Sequence, residues 1–182
     1  MGIYVCNLGE MCSGPWTSAA AGALVRCKAQ VLAVQECTDV AADHLRNAGW
    51  LLSDAAYIGA GRKVRAPCLV VAARPSDVRE LETVARHSGH FGTDNELSYH
   101  VFTKLKFRWG VSGMKDMALG NFHLHRDTAK RGANSDMVKQ WAARLSQAVG
   151  ASQARVLVGD ANMGIYMPVS YTHLTLPTNR EV

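Results

Sequence analysis

The sequence predicts an α/β fold, and three observations carry that expectation. Short apolar runs of strand length alternate with longer segments whose apolar residues recur at helical spacing. The apolar runs stop repeatedly at a polar residue: Asn7, Glu36, His123, Asp160. At 182 residues, with 48% hydrophobic and 19% charged residues, the chain is long enough for one domain with a substantial core.

The elements follow in order. "GIYVCNLGE" opens with an apolar run ending at Asn7, read as a strand and then a loop. "WTSAAAGALVRCKA" has helical character, with Thr17 or Ser18 as the expected N-cap. "QVLAVQE" has strand length. "TDVAADHLRNAG" reads as a helix capped by Thr38 or Asp39 and ended by Gly49. "WLLSDAAYIG" is read as a strand, "GAGRKVRAP" as a loop and "CLVVAAR" as a strand stopped by Pro75. Residues 76–98 are polar and give no clear period. "YHVFTKLKFRW" alternates loosely, as a half-exposed strand does. "GMKDMALGNFHLH" contains a strand ending near His123. "NSDMVKQWAARLSQAVG" is the clearest helix, with Val138, Trp141, Leu145 and Val149 on one face. "ARVLVGDAN" closes the series. The four tryptophans, Trp16, Trp50, Trp109 and Trp141, are expected in the core.

The net charge of +5 and the pI of about 9.1 favour phosphate-bearing partners through steering, without requiring nucleic acid. No apolar run is long enough to span a membrane, and no membrane partner is expected. The N-terminus lacks the basic-then-apolar pattern of a secretory signal. Five cysteines without a CxxC pair read as reduced thiols, so an intracellular setting is expected and a zinc site is not. The charge and composition leave the oligomeric state open.

A carboxylate inside a strand is costly to bury unpaired, but a strand end is a rigid platform facing solvent. With a side-chain period of two, Asp160 and Asn162 face the same way if the extended geometry persists. Adjacent strand ends would then assemble an asparagine, a glutamate, a histidine and an Asp/Asn pair in one mouth. Mg²⁺ takes oxygen ligands and needs only one or two carboxylates beside phosphate and water. A second carboxylate can orient and deprotonate water, while carboxamides and an imidazole hold phosphate oxygens. Hydrolysis of a phosphate ester suits this set.

"VCNLGE", "VLAVQE", "NFHLH" and "VLVGDAN", in that order, resemble the motifs of the endonuclease/exonuclease/phosphatase superfamily, the DNase I-like fold. The resemblance covers residues 1 to about 163. It implies a four-layered α/β sandwich, two packed β-sheets flanked by helices, that cleaves phosphodiesters or phosphomonoesters with Mg²⁺ or Mn²⁺. It implies that Glu36 and Asn7 hold the metal, Asn7 touching metal or phosphate. It implies that His123 contacts phosphate, that Asp160 orients the nucleophilic water, and that Asn162, the asparagine beside it in the motif, clamps the phosphate with Asn7 and His123. DNA, RNA, an inositol phosphate or a nucleotide would each fit as substrate. Endonucleases linked to reverse transcriptases share the domain, so a mobile-element origin is compatible.

The chain departs from the pattern in two places. Ala161 stands where the motif usually carries phenylalanine. The family's late "SDH"-type strand has no counterpart after Asn162. The ending "PVSYTHLTLPTNREV" resembles translated read-through of a sequencing-library adapter. The expected organisation is a partial domain over residues 1–168, incomplete at the C-terminus, and a non-native tail over 169–182. Such a fragment is expected to be weakly active or inactive. His173 is assigned no role.

Each site residue has a plainer alternative. Asn7 could bridge a turn, Glu36 could favour the start of the following helix, and Asp160 with Asn162 could form an Asx turn. His123 could be an edge histidine, with His125 competing for its role. Gln35 is read as support for Glu36, Glu10 as a weaker metal contact. The basic residues Arg62, Lys63, Arg65, Arg126, Lys130 and Arg131 read as solvated surface or sequence-blind phosphate contacts. A non-catalytic remnant or a nucleic-acid or partner-binding module of the same fold is the alternative to an enzyme.

Overall fold

The computed structural model of the protein describes residues 2–9, 16–57, 68–91, 96–111, 114–124, 134–149, 154–160 and 174–175. The expected loop at 59–67, the residues Glu10, His125 and Asn162, and both basic clusters lie outside them.

Two five-stranded sheets pack face to face. The first contains β1 (Ile3–Asn7), β2 (Val31–Cys37), β5 (Cys68–Ala73) and β3 (Leu51–Leu52) in that order, with β4 (Ala56–Tyr57) also paired to β5. The second runs β10 (Leu174–Thr175), β9 (Arg155–Asp160), β8 (Met114–Leu124), β7 (Glu96–Val111), β6 (Val78–Phe91). Helices α1 (Trp16–Arg26) and α2 (Asp39–Asn47) cover the first sheet, and α3 (Asn134–Val149) covers the second. The result is the four-layered sandwich.

Side-chain period two sorts each strand between layers. In β2, Val31 and Ala33 point between the sheets, while Leu32, Val34 and Cys37 point under α1 and α2 beside Leu24 and Leu45. In β8, Met117 and Leu119 meet the first sheet, while Ala118, Phe122 and Leu124 meet Trp141 and Leu145 of α3. β7 is covered on two faces as well, Tyr99 and Val101 by Ala56 and Leu69 of the first sheet and Phe102 by Trp141 and Leu145 of α3. That explains why Tyr99 to Thr103 of β7 are all buried, where a half-exposed strand was expected. Only the far end of β7 alternates, with Lys106 paired to Glu80 across the exposed edge at 2.8 Å.

Several boundaries differ from the sequence reading. Residues 78–91 form the long strand β6, paired antiparallel to β7 throughout. Its polar residues sit on an outer strand, where tertiary pairing rather than apolar period fixes the conformation. Helix α1 begins at Trp16, so Thr17 and Ser18 lie inside it rather than capping it. The segment after Trp50 gives two short strands instead of one. Helix α2 matches its signals: Thr38 Oγ1 accepts from Ala41 N at 3.1 Å, and Gly49 supplies φ +84° just beyond the last turn. Among the tryptophans, Trp50 and Trp141 are buried as expected. No described helix is long and apolar enough to cross a membrane.

Arg74 ties the end of α1 to the first sheet. Its guanidinium donates to the carbonyls of Ala29, Val25 and Cys27 and lies 4.4 Å over the Trp50 ring. Val25 O lies in the last turn of α1 and Cys27 O just past it, where a helix end leaves carbonyls without partners. Arg74→Ala is expected to destabilise the protein by roughly 1–3 kcal/mol, because part-buried acceptors lose a charged donor. Urea titration with hydrogen exchange at residues 25–29 would check this; unchanged protection there would contradict it.

On the far side of the second sheet, His100 stacks on Phe102 with centroids 4.4 Å apart, beneath Trp141. Burial, with His87 and Arg144 adding, pushes its pKa down to about 3 from an ordinary value of 6.5. The unfolded chain therefore binds the proton first as pH falls. Stability from this group is intact above about pH 6.5 and declines from there toward pH 3. His100→Phe is expected to flatten the loss of stability over that window; an unchanged pH profile of urea midpoints would refute this.

Candidate active site

The four described candidates meet at one mouth, at the carboxyl ends of their strands. Asn7 is the last residue of β1 and Asp160 the last of β9. Glu36 and His123 are each next to last, in β2 and β8. The pairs β1–β2 and β8–β9 are the parallel ones. Parallel pairing brings carboxyl ends together at one edge, where open α/β sheets carry their sites.

Register sets the geometry. His123 and Asp160 are direct partners across β8 and β9, so their side chains emerge side by side. Both have the parity of the residues facing the first sheet: Met117 and Leu119 in β8, Val158 in β9. From that sheet, the Asn7 carboxamide donates to Asp160 Oδ2 at 2.6 Å and to Glu36 Oε1 at 3.1 Å. One amide nitrogen thus joins two carboxylates, and it does so across the two sheets. Asn7 Oδ1 accepts from Gly9 N at 2.7 Å, which fixes the amide's orientation. His123 Nε2 stands 3.2 Å from Glu36 Oε1, and an ionised carboxylate requires it to be the donor.

Glu36 reaches the mouth through a bulge. Val34 pairs with Val70 and Cys37 with Cys68, so Gln35 and Glu36 together oppose Leu69. Strict alternation would send Glu36 under the helices with Leu32 and Val34. The extra residue gives that inward place to Cys37 and turns Glu36 to the rim. The backbone of Glu36 has φ +51°, the one positive φ outside glycine among the described residues. Such a conformation costs on the order of 1–3 kcal/mol in a residue with a Cβ and persists where surrounding contacts enforce it. Leu8 N donates to Gln35 O at 3.0 Å, and Cys68 Sγ donates to Cys37 O at 3.3 Å, on either side of Glu36.

On the second sheet, β9 runs close against β8 at Gly159. A Cβ there would stand 2.0 Å from Phe122 O. Only glycine allows the approach that sets Asp160 beside His123. Tyr99, buried and partnered in register to His123, packs against its ring at 6.2 Å between centroids.

The donor set suits a hard cation. Glu36 and Asp160 offer carboxylate oxygens within reach of one amide, and an Mg²⁺ site needs only one or two such groups. Among the described residues no cluster of three or more His, Cys, Asp and Glu side chains has metal-holding geometry. Burial, with Cys27 adding, raises the thiol of Cys6, next to Asn7, to about 11, which favours the protonated form. The four described cysteines carry thiols rather than disulfides.

Two carboxamides behind the mouth complete the support. Gln35 was legible as support for Glu36, but Asn121 was not singled out. Its signal was present: a carboxamide at core parity in the apolar run "ALGNFHL", two residues before His123.

The two-sheet sandwich shares its fold, the four-layered DNase I-like sandwich, with several solved structures. Among solved structures, the chain is similar to TDP2 from D. rerio complexed with a single-strand DNA product (TM-score 0.58, 13% identity, covering 89% of this chain and 60% of that one). It is also similar to ANGEL2, a 2',3'-cyclic phosphatase, in complex with adenosine-2',3'-vanadate (TM-score 0.56, 16% identity, 80% and 43% covered). A third is a functionally unknown conserved protein from Enterococcus faecalis V583 (TM-score 0.64, 13% identity, 89% and 67% covered). The chain therefore spans well under two thirds of ANGEL2 and 60% of TDP2. No family profile and no curated sequence matches it.

Proposed function

We propose that this chain carries the catalytic mouth of a metal-dependent phosphoesterase, one that hydrolyses a phosphodiester or phosphomonoester through an activated water. The observation that carries the reading is the meeting of Asn7, Glu36, His123 and Asp160, distant along the chain, at one rim across two sheets. Glu36, assisted by Asn7, would hold Mg²⁺ or Mn²⁺, which polarises a phosphoryl oxygen when bound. Asp160, oriented by the Asn7 amide, takes the proton of an attacking water. His123, whose Nε2 faces Glu36 Oε1 here, would turn that N–H to a phosphate oxygen when the carboxylate holds the ion, and Asn162 would clamp the phosphate with it. The positive net charge and the nucleotide ligands bound by TDP2 and ANGEL2 support a nucleic acid or nucleotide as the phosphate-bearing substrate.

The parent protein is proposed to supply, beyond residue 168, the Asp-His strand that completes the mouth. The 182-residue chain by itself is then expected to turn over weakly. Extending the gene past Pro168 and assaying a phosphodiester reporter with and without EDTA tests both statements. Metal-independent turnover would reject the mechanism. A binding module of the same fold is the second reading, favoured by the partial span against TDP2 and ANGEL2. Nucleotide binding by the extended protein without hydrolysis would select it.

A further inference from the structure

Asn121 is fully buried between the sheets, below the mouth. Asn121 belongs to the second sheet, yet its carboxamide hydrogen-bonds to the first. Nδ2 donates to Val34 O at 3.0 Å and to Val70 O at 2.9 Å; Oδ1 accepts from Gln35 Nε2 at 2.5 Å. Val34 and Val70 are the last regular pair before the bulge, so Asn121 binds where the β2–β5 ladder breaks. Both of its N–H donors are committed to main-chain carbonyls, which neither an aspartate nor an apolar isostere can satisfy.

The arrangement fixes two functional side chains at once. On β2, Val34 and Gln35 are held on the amino side of Glu36, and Glu36 must then leave the bulge at φ +51°. On β8, His123 lies two residues beyond Asn121 on the same face, so the Asn121 bonds set its height against Glu36. Gln35 itself is buried, and its amide donates to Ala33 O and Asn121 Oδ1 rather than to a group of the mouth.

We propose that Asn121 and Gln35 form a positioning pair that holds the Glu36 carboxylate in cation-binding geometry and aligns His123 with it. This rests on the reading of Glu36 as a metal ligand. The pair touches neither ion nor substrate; it acts through the β2 bulge. Partners that orient a metal ligand typically change affinity by about 10–100-fold when removed.

The test is Mn²⁺ affinity of the 182-residue chain by electron paramagnetic resonance titration, with circular dichroism melts alongside. Gln35→Met keeps length and removes the donor to Asn121. Asn121→Asp removes the two main-chain donations. Both are expected to weaken Mn²⁺ binding by about 10–100-fold while the chain stays folded. Thr103→Val is the structural control: it removes the buried bond from Thr103 Oγ1 to Leu119 O at 3.1 Å in the same interior. It is expected to lower the melting temperature and leave Mn²⁺ affinity unchanged. Should Asn121→Asp fail to fold, Gln35→Met decides alone. If Glu36→Gln abolishes binding while folded Gln35→Met binds as wild type does, the positioning role is overturned and the reading of Glu36 stands. The role is equally overturned if Thr103→Val weakens binding as much as Gln35→Met. If Glu36→Gln binds as wild type does, or the chain binds no Mn²⁺, the metal reading itself falls and the inference with it.

Discussion

Asp160→Asn in the extended protein is expected to slow phosphoester hydrolysis by roughly 10²–10⁴-fold, the range for loss of a positioned acid–base group. The substitution keeps the shape of the side chain. Its carboxamide oxygen can still accept from Asn7 Nδ2, which lies 2.6 Å from Asp160 Oδ2. What it loses is the charge that draws the proton from water. The fold should be indifferent, because Asp160 is only half-buried at a strand end. The expected signature is a large fall in kcat with an unchanged melt. Glu36→Gln should produce a loss of similar direction, but with a raised requirement for Mg²⁺, because it acts on the ion. Steady-state kinetics across a Mg²⁺ titration separates the two. Wild-type turnover in either variant would reject the assigned roles.

Gly159→Ala is expected to be the most destabilising single methyl group in the second sheet. The Cβ would fall 2.0 Å from Phe122 O and 2.8 Å from Phe122 C, so the clash is with backbone in the neighbouring strand. A rotamer change cannot relieve it; β9 must move away from β8. Since His123 and Asp160 are register partners one step further on, that movement also parts these two side chains. A loss of at least about 3 kcal/mol is expected, at the upper end of overpacking costs. Gly120→Ala is the comparison. Its Cβ would meet Leu157 Cδ1 at 2.6 Å, the far end of a flexible side chain, and the cost should be smaller. Urea midpoints in the reverse order would contradict the structural argument.

Much of this was legible because the chemistry sits where patterns end. Apolar runs stopping at Asn7, Glu36, His123 and Asp160 marked four strand ends, and all four meet. Helix α2 announced itself through Thr38 and Gly49, whose roles are local. Strand β6 was hidden because its conformation comes from pairing with β7, a non-local property that "VRELETVARHSGHF" does not carry in its period. The start of α1 was misplaced because capping residues inside a helix look the same in sequence as caps. The β2 bulge was also invisible. Nothing in "VLAVQEC" says that Gln35 and Glu36 oppose one residue, or that the Gln35 amide meets Asn121, 86 positions away. The partner of a buried carboxamide is a tertiary fact that no local pattern carries.

The most direct test of the central claim is anomalous diffraction from crystals of the chain grown with Mn²⁺. The account predicts one peak at the rim bound by the Glu36 carboxylate, with Asp160 and Asn7 beside it and His123 at the edge. A peak elsewhere with that rim bare, or coordinates that separate Glu36 from Asp160, would contradict it.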